Sequence, residues 1–600
     1  MTVHYRLCPD PTRHLFHVTL TISDPDPAGQ VLSMPAWIPG SYMIRDFARN
    51  IVRIKAECDG PVALNKRDKH TWQAAPCAGP LTLSYEVYAW DLSVRGAHLD
   101  ATHGYFNGTS VFLRVHGQDH APCTVDLIAP AGEPYARWHV ATTLPRDGAP
   151  EHGFGRYRAA DYEELIDHPV EMGEFTLVVF EAAGVTHEVA ITGRHRTDTA
   201  RLARDLQKVC AWHIDLFGRP APMARYLFQV MAVGDGYGGL EHRSSTSLLC
   251  SRNDLPRVDQ EDMSEEYRTF LGLCSHEYFH TWNVKRIKPA AFVPYDLGRE
   301  VHTPLLWAFE GITSYYDDLA LVRSGLITPK DYLELLGQTI TRVLRSPGRF
   351  KQSVADSSFD AWTKFYKADE NAPNAIISYY VKGAVIALSL DLMLRTRSES
   401  ARSLDDVMRL LWERHGRTGM GVTESDLENI IAEVAQVDLR GFFDACVRGT
   451  DDPDLATLLA PMGIEFHLRP AESQSDKGGK PAKDEAALAR RVTLGARTAE
   501  DGTGARLVNV YESGAAQQAG LSPGDVVVAL DGLRVTHGNL EKLLAPYRAG
   551  DTAELHAFRR DELFRAQVCL QAPPADTCRL SFQDDVDDAT RARRAAWLGA

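Results

Sequence analysis

Apolar and polar positions alternate in short runs over roughly the first 180 residues. Leu15–Ile22, Leu81–Tyr88 and 123–128 read as strands, with clusters of Pro, Gly, Asp and Asn between them. This spacing predicts a β-sandwich. From about residue 181 the period changes. Val185–Thr192 and 227–233 look like strands, with a helix over Thr199–Phe217 between them. Farther on, Tyr267, Phe270, Leu271, Cys274 and Tyr278 recur at three- and four-residue steps, which predicts a buried helix. Asp262 and Ser264 are its N-cap candidates, and Glu265 and Glu266 suit its first turn. The stretch 285–302, with Pro289, Pro294 and Gly298, reads as a loop. Helical spacing resumes at Leu305 and dominates to about Ala445, as in 331–344, 379–396 and 404–415. A small β half followed by a helical half fits a two-lobed domain. The stretch 469–485 has no large apolar side chain and reads as a flexible linker or loop. Strands follow at 491–496, 505–511 and Val526–Leu530, with a short helix at 514–519. The charged stretch 575–600 reads as a loosely packed tail.

The predicted buried helix carries His276-Glu277-Tyr278-Phe279-His280. Residues four apart share a helix face, about 6 Å apart along the axis, so the two imidazoles can meet one metal ion. Glu277 projects beside them as a base for water. Two ligands and a base at this spacing are the zinc-hydrolase arrangement. A catalytic zinc takes a third protein ligand and keeps one position open. Glu300 lies twenty residues after His280 and Glu310 thirty. Glu310 is preferred, because it opens a helical segment beside Trp307 and Phe309, whereas Glu300 sits beside Arg299 in the loop.

Two further stretches are dense in informative residues. Gly234–Gly239, followed by Leu240-Glu241-His242, has no Gly-Lys-Ser/Thr and so is no phosphate loop. Glycines at this density let backbone approach a ligand, and Glu241 at the end of such a strand suits a cationic group. Pro35–Phe47 is rich in Pro and aromatics. It reads as a rigid loop packed on the sandwich, or as one reaching the substrate cleft.

At 600 residues the chain exceeds one ordinary core, so two to four domains are expected. The formal charge of −15 and the lack of Lys/Arg-rich runs argue against nucleic acid as a partner. No apolar run reaches the length of a membrane span, and no signal peptide is legible at the start. The ten cysteines show no C-x-x-C spacing. A cytoplasmic setting is the simplest expectation.

These residues together carry a resemblance. His276-Glu277-x-x-His280, with Trp307-Ala308-Phe309-Glu310-Gly311 and Tyr315-Tyr316, is similar to the glutamate-zincin metallopeptidases. Gly238-Gly239-Leu240-Glu241-His242 resembles the G-x-M-E-N motif of aminopeptidases, with His242 in place of Asn. Tyr380-x-Lys382-Gly383-Ala384 resembles their Y-x-K-G-A. Trp37-x-Pro39-Gly40-Ser41-Tyr42-x-x-Arg45-Asp46-Phe47 resembles a stretch of the glycyl aminopeptidase family. Ser513–Val527, ending in Asp531-Gly532, looks like a bacterial PDZ domain.

The resemblance implies a multidomain chain: an N-terminal β-sandwich (1–180), a thermolysin-like zinc peptidase domain with a mostly helical second half (181–460), a linker or inserted loop (461–488), a PDZ-like domain (489–574) and the tail (575–600). It implies one Zn²⁺ per chain on His276, His280 and Glu310, with Glu277 as general base and Tyr380 stabilising the oxyanion. Gly238, Gly239, Glu241 and His242 would bind substrate, Glu241 holding the free α-ammonium. The expected function is an aminopeptidase for peptides with a free N-terminus, Gly or Ala preferred. A zinc endopeptidase and a chaperone-like protein capturing peptides in the PDZ groove are the alternatives.

Overall fold

The structure, a computed structural model, describes residues 2–599. The chain divides into two compact units. The first holds everything up to Val301 together with Met408–Val422, and the second holds His302–Val407 and the chain from Thr423 onward.

The first unit begins as a β-rich domain. A seven-stranded sheet has Leu15–Ile22 at its centre, antiparallel to Val3–Asp10, which in turn runs parallel to Cys123–Leu127, and two four-stranded sheets accompany it. Alternation puts Tyr5, Leu7, Val18, Leu20, Leu83 and Tyr85 on one buried face. Each such side chain contributes about 1.5–3 kcal/mol through burial. The phenols of Tyr5 and Tyr85 stay satisfied by donating to the carbonyls of Leu113 and Val111.

A five-stranded sheet follows, in the order Phe175–Ala182, Val185–Thr192, Arg225–Val233, Ser245–Ser251, Tyr237–Glu241. Its three middle strands run parallel, and both edges, Phe175–Ala182 and Tyr237–Glu241, are antiparallel. The helix Thr199–Phe217 makes the crossover, started by the Asp198 carboxylate accepting from Arg201 N. The helix Glu265–Phe279 packs on the strands Tyr237–Glu241 and Ser245–Ser251. Ser264 caps it by accepting from Tyr267 N at 3.1 Å, and Glu265 and Glu266 occupy its first turn. It is buried on nearly every side, including Phe270, Leu271, Cys274, Tyr278 and Phe279.

The second unit is helical before it is β. A π-type turn at Trp307–Gly311 leads into the helix Ile312–Arg323; Pro329–Leu344, with a Thr328/Asp331 capping box, and Val381–Arg397, buried except at Met393 and its last two residues, follow. The PDZ fold has the strand order Ala496–Asp501, Gly504–Val510, Val526–Leu530, Thr552–Arg559, Glu562–Cys569. Its core is aliphatic, with Leu507, Val527, Leu555 and Val568 at 0 % exposure.

Two expectations are corrected and one is narrowed in this unit: the strand read at 491–496 lies at Ala496–Asp501, and the other two concern 575–600 and 469–485. The stretch 575–600 is not loosely packed. Thr577–Phe582 pairs with Ile464–Arg469, and the helix Asp588–Leu598 follows. Trp597 is fully buried, its indole N–H donating to Tyr315 Oη at 2.9 Å. Charge had masked one face of a short helix that carries a single large anchor. The stretch 469–485 is polar as read but not free. Asp476 accepts from Arg469 and from the backbone N–H groups of Glu472 and Gly478, so hydrogen bonds replace the apolar contacts its composition lacks.

Candidate active site

The helix Glu265–Phe279 brings His276 and His280 to one face, their ring centroids 4.7 Å apart. His280 is buried, and its Nδ1 meets the Asn283 carbonyl at 2.6 Å. That bond fixes the tautomer that leaves Nε2 as a lone-pair donor, the usual support for a metal-ligating histidine. Behind the helix, His213 Nε2 lies 2.9 Å from Ser275 Oγ and His187 Nε2 lies 2.9 Å from Tyr278 Oη. Burial pushes His213 down to about 3 and His187 down to about 4, so both support the helix as neutral rings.

The edge strand Tyr237–Glu241 runs alongside. At Gly239 an added Cβ would lie 2.0 Å from Glu277 Oε1, so only glycine lets the strand come this close. Arg95 Nη2 donates to the Gly239 carbonyl at 3.4 Å and stands beside Gly238. Two residues on, Glu241 is 4 % exposed, and its Oε1 has no hydrogen-bond donor among the described residues. Glu241, Glu277 and His280 each offer a ligand atom, and these atoms lie within 4.8 Å of one another. A buried carboxylate with an unanswered oxygen is costly unless a cation comes to it. Donor set, tautomer and close carboxylates all fit a divalent metal with an ammonium group nearby.

The Pro/aromatic stretch reaches this place. Gly40, at φ +94°, sits directly against the Glu241 carboxylate, whose oxygens would be 2.5 and 2.6 Å from an added Cβ. Trp37 Nε1 donates to the Asp296 carbonyl at 2.8 Å, and Tyr42 stacks on Phe292. The loop after the metal-motif helix thus holds the stretch in place. Sequence reasoning singled out the stretch but not the contact of Gly40 with Glu241.

His242, next in the chain, turns the other way. Its Nδ1 lies 3.4 Å from Asp167 Oδ1, and it lines a pocket of about 230 Å³ with Lys285, Lys288, Arg243, Glu163 and Tyr295. Asp167 also takes Lys285 Nζ at 2.6 Å and Arg243 N–H at 2.9 Å. Burial would raise the Asp167 carboxyl, but Lys285, His242 and Arg243 outweigh it and hold it well below the usual range. Nothing in the sequence pointed to Asp167.

In the second unit, Glu310 is buried on the π-type turn, a rare form that recurs at functional sites. Gly311 and Gly383 touch backbone to backbone: an added Cβ at Gly311 would lie 2.5 Å from Gly383 Cα. This contact fixes the turn bearing Glu310 against the start of the helix that follows Tyr380. Lys382 is wholly buried and pairs with Asp452 at 3.0 Å, so its role is to hold that helix start. Tyr380 stacks on Tyr379 and Phe365, and its hydroxyl lies 3.4 Å from that of Tyr366, a neighbour the motif did not reveal. Glu300 stays in the loop of the first unit, partly exposed.

Comparisons with known proteins bear on the family. Residues 4–174 match the Peptidase M61 N-terminal domain, 269–386 match M61 glycyl aminopeptidase, and 492–570 match a PDZ domain. An aminopeptidase N family protein from Idiomarina loihiensis is 43 % identical, with coverage of 99 % of this chain and 100 % of that one and a TM-score of 0.95. An M1 zinc metallopeptidase from Deinococcus radiodurans is 15 % identical over 76 % of this chain and 94 % of its own, with a TM-score of 0.46. No helix among the described residues is long and apolar enough to cross a membrane. The chain is a metallopeptidase and belongs to the M61 glycyl aminopeptidase family.

Proposed function

We propose that this chain is a zinc-dependent aminopeptidase that removes N-terminal residues, Gly or Ala foremost, from peptides. The observation that carries the reading is Glu241: a buried carboxylate, one oxygen without a donor, beside Glu277 and His280. A free α-ammonium is the cation that such a group accepts, and its capture sets the first peptide bond, and no later one, next to the base.

His276, His280 and Glu310 are the metal ligands in this reading, by motif and family. Zinc held there supplies a Lewis acid for the scissile carbonyl and lowers the pKa of water towards about 7. Glu277 takes the proton of the attacking water and later passes it to the leaving amine nitrogen. The Tyr380 hydroxyl donates to the oxygen on which negative charge develops. Glu241 holds the ammonium, and Gly40 behind it keeps the carboxylate from retreating. Gly238 leaves room for substrate backbone, Gly239 brings the backbone of the strand up to Glu277, and His242, tied to Asp167, fixes the end of the strand. We assign these roles to a catalytic region over about 181–460, between the sandwich and the PDZ module.

The test is hydrolysis of free and N-acetylated aminoacyl amides with and without a chelator. Cleavage confined to the free Gly and Ala members, and abolished by the chelator, supports the reading. Equal cleavage of acetylated substrates makes the enzyme an endopeptidase and removes the role given to Glu241.

A further inference from the structure

The PDZ sheet ends on Ala496–Asp501, which pairs with Gly504–Val510 and, among the described residues, with no strand on its other side. In this fold such an edge, walled by a helix, is where an extended peptide adds a strand. Here the wall is Leu540–Leu544. Yet Thr498, in the middle of the edge, is only 6 % exposed.

What covers it is the chain's own upstream segment. Gln474 Oε1 accepts the Thr498 backbone N–H at 2.9 Å, and Gln474 Nε2 donates to Thr498 Oγ1 at 3.0 Å. A carboxamide has the donor and acceptor of one peptide unit, so this side chain stands in for a link of bound peptide. The Gln474 backbone N–H donates to Glu541 Oε1 on the helix at 3.3 Å, so the residue bridges both walls. Thr498 Oγ1 also meets His537 Nδ1 at 3.1 Å, just before that helix. Arg491 holds the segment from the other side. Its guanidinium donates to the carbonyls of Ala471 and Glu472 and lies 3.6 Å from Glu541. Asp476, bonded to Arg469 and to Glu472 N, clamps the far end.

We propose that residues 471–475 are an internal occupant of the PDZ groove, which is therefore shut to other peptides until this segment is displaced. A tethered segment acts at an effective concentration on the order of millimolar. An incoming extended peptide has to outcompete that to reach the Thr498 edge. The inference is independent of the chemistry assigned to the catalytic region.

The experiment is site-resolved hydrogen–deuterium exchange on the full chain, comparing wild type with Gln474→Ala and with a variant whose residues 471–475 are replaced by Gly and Ser. The Thr498 amide is expected to exchange about five- to tenfold faster in both, as the loss of one such bond implies. Amides in Gly504–Val510 and Thr552–Arg559 should stay unchanged, showing an intact domain. Unchanged exchange at Thr498 in both variants overturns the proposal. A rise spread evenly over the whole PDZ sheet also overturns it, because the segment is then a brace for the fold and not a tenant of the groove.

Discussion

Asp167 and Glu241 are both carboxylates buried in the first unit, 8 % and 4 % exposed, and they are supplied very differently. Asp167 has an ammonium, an imidazole and a backbone N–H within reach. Glu241 has glycine against one side and an oxygen with no donor among the described residues. Equal burial is therefore compatible with different roles: a carboxylate whose partners are all present holds the fold together, and the ligand-binding role belongs to Glu241 only in the reading proposed above. Glu171 is a third kind: it accepts from Thr192 Oγ1, and burial raises it to about 7.

That contrast can be broken experimentally. The largest effect is expected from Asp167→Ala, which strands Lys285 and should cost about 3–5 kcal/mol in denaturant unfolding. Burial tends to raise this carboxyl, but its partners hold it well below 3.8. Its contribution is therefore present above that value and is lost only as pH falls through the depressed pKa. Unfolding between pH 7 and pH 5 should show no loss from this group.

Glu241→Gln should do the reverse. Stability holds or rises, while kcat/KM on free N-termini falls about a hundredfold and the preference over acetylated substrates collapses. A drop in stability with activity kept would erase the distinction. Gly40→Ala is expected next. A methyl group there pushes on the Glu241 carboxylate, so KM should rise about tenfold with kcat less affected. The smallest effect concerns Glu171. Its folded pKa lies above the ordinary 4.5, so wild-type stability declines as pH rises through about 7. Between pH 6 and 8 that decline is about 1 kcal/mol, and Glu171→Gln should abolish it.

The sequence made legible whatever lies within one element. His276, Glu277 and His280 share a single helix, so their spacing alone fixes their geometry, and Ser264 announced its start. The alternating strands of the sandwich were legible for the same reason, and in the PDZ fold Gly504–Val510 and Val526–Leu530 were, whereas its first strand was read five residues early and its last two were not read. Gly40 against Glu241 was not, because the contact joins residues of distant strands and loops through tertiary packing. Asp167 was hidden likewise: a single acidic residue in a short loop gives no sign that Lys285 will be folded onto it. Trp597 and Gln474 were missed for another reason. Composition averages over a window, and one buried indole or one bridging carboxamide does not move the average.

The pairing of Ile464–Arg469 with Thr577–Phe582 has a consequence for how the protein is made. The PDZ fold lies between these two strands, and the helix beyond them buries Trp597 under Tyr315 and receives Arg323 and Arg395 at its carbonyls. During synthesis the helical half therefore emerges long before the piece that closes its core. A ribosome that stalls within the PDZ segment leaves an apolar slot at Tyr315 open to chaperones and proteases.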